Sequence, residues 1–143
     1  MLLFSSCNKK EKDKEIVQTE IAGKWIIKKE IFTETEDGEV KPETLTFSGN
    51  DSYIEFKDGM MKIVFLDDAE DQSWDIYTQP YTISSDSKKI VVSCINEDEC
   101  FTENTTVEIR KLDSKNLVLY FIDTEIVDGT NYKWESEVHC VRP

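Results

Sequence analysis

The sequence predicts an all-β fold in which eight antiparallel strands run up and down and close into a barrel. Short segments alternate apolar and polar residues, turn residues separate them, and no segment has the period of a helix long enough to cross a sheet. A barrel also removes the open edges that a flat sheet leaves exposed. A two-sheet β-sandwich is the alternative, because turn spacing alone does not distinguish the two folds.

The first predicted strand covers residues 21–32. Its inward-facing residues share one parity: Ile21, Gly23, Trp25, Ile27 and Ile31. Lys29 alone interrupts this set. Gly23 allows another part of the backbone to approach Trp25 closely. Residues 33–51 are acidic and contain glycine and proline, so we expect them to form a long connection, of the kind that is often functional or mobile.

Seven further strands follow this connection. They are expected at residues 53–57, 60–66, 74–84, 90–95, 105–112, 116–125 and 132–141. The clearest hairpin is the first, because Asp58-Gly59 is a dipeptide that a two-residue type I′ turn prefers. Pro80 indicates a bulge or a sheet edge in the third of these strands. Apolar and charged residues alternate along the last strand, so one face is expected to be buried and the other exposed to solvent.

The first residues differ in character from the rest. Phe4-Ser5-Ser6-Cys7 precedes a run of charged residues, and this pattern resembles the end of a bacterial lipoprotein signal. In that family the cysteine thiol takes a diacylglycerol, so the resemblance implies that Cys7 is the lipid anchor. Residues 1–20 are then a truncated signal remnant and flexible tether, and residues 21–143 are the barrel domain. If Met1 is the true start, the alternative is a cytoplasmic protein.

The charge balance restricts the partners. The chain has 17 basic and 30 acidic residues and a formal charge of −13. Nucleic acid is not an expected partner, because phosphate binding requires a cationic surface. The acidic segments instead suit a cationic protein partner. They are residues 34–39, 67–71 and 96–99.

The cysteines suggest a disulfide. Cys94 and Cys100 flank a polar loop of hairpin length, so they are expected to face each other across paired strands. Cys94 with Cys140 is the alternative pair, and buried thiols are the other reading. No metal site is expected, because the cysteines lack the tight paired spacing of structural zinc. His139, the one histidine, also lies on the solvent-exposed face of the last strand.

Three segments together resemble the small lipocalin-like lipoproteins of bacterial envelopes. Gly23-Lys24-Trp25 is similar to the Gly-x-Trp opening of the first barrel strand, and residues 80–90 and 107–119 are similar to the two later hairpins. In larger lipocalins a late arginine packs over the first-strand tryptophan, and Arg142 is the candidate here. The resemblance implies a protein anchored in the cell envelope, at the outer membrane, that binds a small hydrophobic molecule. We expect it to be a monomer.

Two functions follow from this reading. The first is an anchored carrier, whose cavity candidates are Trp25, Ile54, Phe56, Met61, Ile63, Phe65, Trp134 and Val138. The second is an interaction module with a filled barrel and acidic partner-binding loops. Neither is an enzyme and neither needs a cofactor, because the sequence has no nucleophile, phosphate-binding or dinucleotide-binding motif.

Overall fold

The computed structural model describes residues 2–66, 74–103 and 105–143, and only the backbone of residues 2–10 and of residue 74. Its helix is α1 (Leu2–Ile21). Its strands are β1 (Gly23–Glu36), β2 (Glu39–Thr46), β3 (Tyr53–Lys57), β4 (Met60–Leu66), β5 (Trp74–Ile83), β6 (Lys89–Val92), β7 (Thr106–Leu112), β8 (Asn116–Val127) and β9 (Thr130–Val141). A 3-10 turn, Glu97–Glu99, lies between β6 and β7.

The strands form one antiparallel sheet that closes on itself. The order is β2-β1-β3-β4-β5-β6-β7-β8-β9, and β9 returns to pair with β1. Because β2 lies outside this closure, the ring itself contains eight strands. The prediction of an eight-stranded, sequentially connected antiparallel barrel is therefore confirmed.

The first strand differs from its prediction in a way that matters for the site. Pairing of β1 with β9 shifts between Ile27 and Lys29, so Lys28 is an extra residue and the strand has a bulge. A bulge reverses which parity faces the barrel. Glu30 consequently pairs with Val138 and is only 8% exposed, whereas Ile31, predicted to face inward, lies on the outer parity.

Part of the predicted connection at residues 33–51 is wrong, because β1 continues to Glu36 and β2 covers Glu39–Thr46. Strand β2 has every residue exposed, so it lacks the alternation that reveals a half-buried strand. Pro42 is tolerated because β2 lies at the edge of the sheet. The missed signal is Asp37-Gly38, whose two residues have positive φ as a type I′ turn requires.

The later strands follow the prediction more closely. Strands β3 and β4 have the predicted bounds, and Asp58-Gly59 joins them with positive φ at both residues. Strand β6 is shorter than expected, and β8 and β9 are longer because they continue to a third such turn, Asp128-Gly129. The bulge expected at Pro80 is absent from the β4–β5 register, where Pro80 lies opposite Met60. Its carbonyl instead accepts from the N–H of Ser93 where β6 pairing ends.

The segment predicted to be a tether belongs to α1. Ile21, expected as the first residue of a strand, ends this helix and is fully buried against the barrel core, with Val17 packed beside it. The signal and tether interpretation of the preceding residues stays a prediction. None of the described helical residues form a segment with the length and apolar content that a bilayer crossing requires.

Candidate functional site

One end of the barrel is closed by the last turn of α1. Trp25 is 0% exposed, and its indole Nε1 donates to the carbonyl of Ile21 at 2.8 Å. The guanidinium of Arg142 lies 3.7 Å from the centre of the Trp25 ring and donates to the carbonyls of Ala22 and Glu20. A Cβ at Gly23 would lie 3.2 Å from that guanidinium, at a φ of +99°. These contacts hold Arg142, Trp25 and the end of α1 together at this end of the barrel.

Most of the predicted cavity residues belong to the core of the barrel. Six are at most 1% exposed: Trp25, Ile54, Phe56, Met61, Ile63 and Val138. They pack in one cluster with buried residues of the remaining ring strands, β5, β6, β7 and β8. This part of the interior is therefore filled with side chains. Phe65 and Trp134 are half-buried and lie toward the opposite end, which we call the mouth.

The mouth is covered by a layer of aromatic rings. Phe101, from the connection between β6 and β7, is at its centre: its ring lies 5.6 Å from Phe65, 5.4 Å from Tyr77 and 4.7 Å from Phe121. The contacts with Tyr77 and Phe121 are edge-to-face, an arrangement that aromatic pairs favour. Phe101 therefore acts as a stopper between the filled core and the solvent.

Gln79 holds the connection that carries Phe101. Its side chain is 1% exposed, its Oε1 accepts from the N–H of Phe101 at 3.0 Å, and its Nε2 donates to the carbonyl of Thr102 at 2.9 Å. The Thr102 hydroxyl also donates to the carboxylate of Asp123 on β8 at 3.0 Å. The loop is thus fixed to two strands of the barrel.

A disulfide closes the same loop. Cys94 and Cys100, the preferred pair from the sequence, are bonded, with their Cα atoms 5.6 Å apart. They do not face each other across paired strands as expected, because β6 ends at Val92 and β7 begins at Thr106, and the bond spans the 3-10 turn instead. Cys140, the alternative partner, is a buried free thiol, and burial raises its pKa to about 12.

Beside the stopper lies an open cleft with a volume of about 560 Å³. It combines carboxylates with aromatic surface, and its walls include Phe101, Glu103, Asp123, Glu125 and Trp134. Of the predicted cavity residues, only Trp134 lines this cleft. This concave surface therefore lies at the mouth, outside the filled interior.

The strands that form one wall of the cleft project beyond the ring. We call the paired segments 32–36, 39–43, 123–127 and 130–134 the extension. Its inward parity carries six acidic side chains, which are Glu34, Glu36, Glu39, Glu43, Asp123 and Glu125. Lys41, 3.5 Å from Glu36, is the one basic side chain on this parity among the described residues.

Two aromatic rings lie among these carboxylates. Tyr132 and Trp134 are stacked with their ring centres 5.6 Å apart and their planes 4° from parallel. The negative charge of Glu36, a hydrogen bond to it and the charge of Glu34 contribute to raising the pKa of the Tyr132 hydroxyl above its ordinary value. The inner face of the extension therefore combines a negative potential with π surface.

A buried polar pair lies one step closer to the core. Ser136 is next to Trp134 on the inner parity of β9 and is 6% exposed. Glu30, on the adjacent rung of β1, has its pKa raised, chiefly by burial; a hydrogen bond from the Ser136 hydroxyl lowers it and the charge of Glu43 raises it. The charge of Glu30 in turn contributes to the raised pKa of Tyr77, whose largest cause is burial.

The predicted surface histidine lies on the outer face of the barrel. His139 Nε2 is 2.7 Å from Glu137, whose other oxygen is 2.5 Å from the guanidinium of Arg110. That guanidinium lies 3.8 Å from the centre of the Tyr120 ring. These contacts form a structural network across β7, β8 and β9, away from the cleft.

The acidic segments predicted to meet a partner have different locations. Residues 34–39 belong to the extension, residues 97–99 form the 3-10 turn, and residues 67–71 lie outside the described residues. Glu30, Gln79 and Phe101 were not selected from the sequence. A polar residue at an inward position, as at Gln79, is a signal that sequence reading can use, but the inward turn of Glu30 depends on the bulge.

Comparison with known proteins gives a limited result. No family model matches the chain, and no curated protein matches it. The chain is similar to a solved lipocalin-like protein from Bacteroides uniformis ATCC 8492, with 17% identity, a TM-score of 0.43, and coverage of 80% of this chain and 96% of that one. It is also similar to an uncharacterized protein from Bacteroides eggerthii DSM 20697, with 12% identity, a TM-score of 0.40, and coverage of 80% of this chain and 98% of that one. We draw no function from these likenesses.

Proposed function

We propose that the protein is a non-enzymatic, lipid-anchored envelope protein that binds a small ligand at the mouth of a lipocalin-like barrel. The observation that carries the binding part is the cleft of about 560 Å³ beside Phe101 and Trp134. Ligand sites in proteins are concave, have volumes of a few hundred Å³, and combine apolar walls with a few polar groups. The cleft has a volume of this size, and its walls are mainly polar with the rings of Phe101 and Trp134 among them, whereas the interior behind the stopper is filled.

The anchor part depends on the resemblance of residues 4–7 to a lipoprotein signal. In a cell that expresses the complete upstream reading frame, we expect Cys7→Ser to release the protein from the membrane fraction, because the diacylglycerol would have no thiol to attach to. Membrane association that is unchanged in this variant would exclude the anchor. It would leave the ligand site unaffected.

The binding part is tested by nuclear magnetic resonance on the ¹⁵N-labelled full chain. Three probes of one shape are titrated in turn at neutral pH: 4-phenylbutylamine, 4-phenylbutanol and 4-phenylbutyrate. Binding at the mouth should shift the indole N–H resonance of Trp134 in a saturable manner. Trp25, at the closed end, serves as the internal control, and its resonance should not move. If no probe gives a saturable shift at Trp134, a small-ligand site at the mouth is excluded.

A cationic protein segment is the second candidate for the same end of the molecule. The observation that favours it is the run of carboxylates on the inner face of the extension, opposed there by Lys41 alone among the described residues. A lysine-rich peptide that binds without shifting Trp134, and whose binding is weakened by Glu39→Gln on the outer part of the extension, would support this candidate. Binding that shifts Trp134 in competition with a small probe would favour the cleft.

A further inference from the structure

We propose that β2 is a docking edge, to which a cationic, extended segment of another protein adds as one more antiparallel strand. This inference deepens the second candidate under the proposed function and depends on it, because it states how a cationic segment is held. The starting point is the position of β2, which pairs with β1 alone among the described strands and lies outside the eight-stranded ring. All 8 of its residues are exposed.

The register of the β1–β2 hairpin decides which backbone groups of β2 point outward. Glu36 and Glu39 flank the two-residue turn and are paired, so the N–H and C=O of Glu39 point toward β1. The direction alternates along an antiparallel strand. The N–H of Phe47, which has the same parity as Glu39, accordingly donates to the carbonyl of Lys28 at 2.9 Å. The residues whose backbone groups point away from β1 are therefore Val40, Pro42, Thr44 and Thr46.

This outward edge offers a nearly complete set of main-chain partners. Its backbone groups have no hydrogen-bond partner within the part of the chain that the structure describes. Val40, Thr44 and Thr46 each present an N–H and a C=O, and Pro42 presents a carbonyl. Because Pro42 has an outward position, its missing N–H costs no bond to β1. Addition of an extended segment to such an edge is a recurring mode of peptide recognition, in which the main-chain bonds supply affinity.

The side chains beside the edge select a cationic occupant. Glu39 and Glu43 flank Lys41 on the inner parity of β2, and Lys41 forms an ion pair at 3.5 Å with Glu36 on the neighbouring strand. Neither Glu39 nor Glu43 forms an ion pair with another described residue. Side chains that lie directly opposite on paired strands interact, and opposite charges there are favourable. A second copy of the chain suits this edge less well, because it would bring two acidic surfaces together.

A peptide built to this pattern tests the inference on the ¹⁵N-labelled full chain. The acetylated and amidated peptide Thr-Lys-Thr-Ser-Val-Lys-Thr places its two lysines four residues apart, as Glu39 and Glu43 are. Its binding should shift the amide resonances of Val40 and Thr44 in a saturable manner. It should also slow their hydrogen exchange by about tenfold, the scale of one hydrogen bond. The indole resonance of Trp134 should not move, which separates this binding from that of the phenylbutyl probes.

Backbone changes test the main-chain bonds at constant charge. The same peptide with N-methyl groups on the Thr and Val residues that face Thr44 and Val40 should bind about tenfold more weakly, because it cannot donate to those carbonyls. On the protein, Thr44→Pro removes an outward N–H and should weaken the unmethylated peptide. Thr44→Val is the matched control, since it keeps the N–H and the β-branched shape, and its binding should be within about twofold of the wild type.

Charge changes test the choice of occupant. Glu39→Gln and Glu43→Gln should each weaken the peptide by about threefold. Glu108→Gln is the control for net charge, because Glu108 lies on the exposed outer side of β7. With a formal charge of −13, the chain attracts any cation to some degree. If Glu108→Gln weakens the peptide as much as the two β2 variants do, this general attraction explains the binding and the inference fails.

The remaining outcomes are equally decisive. Equal binding of the methylated and unmethylated peptides would leave a cationic segment on an acidic surface and overturn strand addition. A peptide that leaves the resonances of Val40 and Thr44 unmoved would overturn it too, whatever the phenylbutyl probes do at Trp134. If hydrogen exchange at Val40 and Thr44 slows when the protein alone is concentrated, the occupant is a second copy of the chain, and the cationic partner is overturned.

Discussion

The two ends of the barrel differ in the side chains that close them and in how far those side chains are exposed. At the closed end, the indole of Trp25 donates to the carbonyl of Ile21 and is 0% exposed, and Arg142 covers its ring while donating to the carbonyls of Ala22 and Glu20. At the mouth, Phe101 closes the core, but Trp134 remains half-buried and carboxylates lie beside it. One end thus serves stability, and the other presents aromatic and charged side chains at its surface.

The largest effect is expected from removing the centre of the closed end. Trp25→Ala should cost about 3 to 5 kcal/mol in the free energy of unfolding, because it leaves a large cavity and removes the ring that Arg142 covers. Urea denaturation of the full chain measures this. Trp134→Ala is the matched control and should cost about 1 kcal/mol or less, since that ring is half-buried. Equal losses at both sites would contradict the division between the ends.

The second effect concerns the loop that carries the stopper. Replacing Cys94 and Cys100 together by serine should reduce the free energy of unfolding by about 2 kcal/mol, because the bond closes a short loop with a sequence separation of 6. Reducing agent should destabilise the wild type by a similar amount and leave the double variant unchanged. If reducing agent does not change the free energy of unfolding of the wild type, the disulfide does not stabilise the mouth.

Sequence reasoning was most accurate where one strand face is buried and a turn dipeptide is present. Strands β3 and β4 satisfy both conditions and were predicted to the residue. It failed for β2, where every residue is exposed and only Asp37-Gly38 indicated a hairpin. The fold was therefore predictable because the ring depends on local alternation and short connections.

The site was less predictable, because its residues reach the mouth through tertiary effects. Glu30 faces inward only because Lys28 is an extra residue opposite β9. Phe101 belongs to a loop, where no period indicates that its side chain returns to the barrel. Trp134 was selected as a cavity residue, but the cleft that it lines lies outside the filled interior rather than within it.

The third prediction concerns the buried carboxyl at the mouth. The folded state raises the pKa of Glu30 above its ordinary value, mainly through burial, so folding favours the protonated form. The contribution of this group to stability is complete below its unfolded pKa and is lost as the pH rises through its raised folded pKa. Glu30→Gln should therefore stabilise the protein by about 1 kcal/mol at pH 8, the scale of the cost of burying a polar group, and by little at pH 4.

Urea denaturation of the wild type and the Gln variant at both pH values checks this prediction. Glu108→Gln, on the exposed outer side of β7, is the control for the change in net charge. A variant that is less stable than the wild type at pH 8 would show that the Glu30 carboxylate is well satisfied.

The smallest effect separates the ring from the extension by one identical change. Ile27 is 0% exposed in the core of β1, and Ile126 is 72% exposed near the tip of β8. Ile→Val removes one methylene at each position and keeps the β-branched shape that strands favour, so propensity does not differ between the two sites. At Ile27 the loss should be about 0.5 to 1.5 kcal/mol, because buried methylenes are lost together with their packing contacts. At Ile126 it should be within about 0.5 kcal/mol, as is usual for surface positions. A double variant should show the sum of the two losses, since distant sites are additive.

A loss of about 1 kcal/mol at Ile126 would mean that the tip of the extension is covered in solution, for example by a second copy of the chain. Dilution of the protein would then abolish the effect.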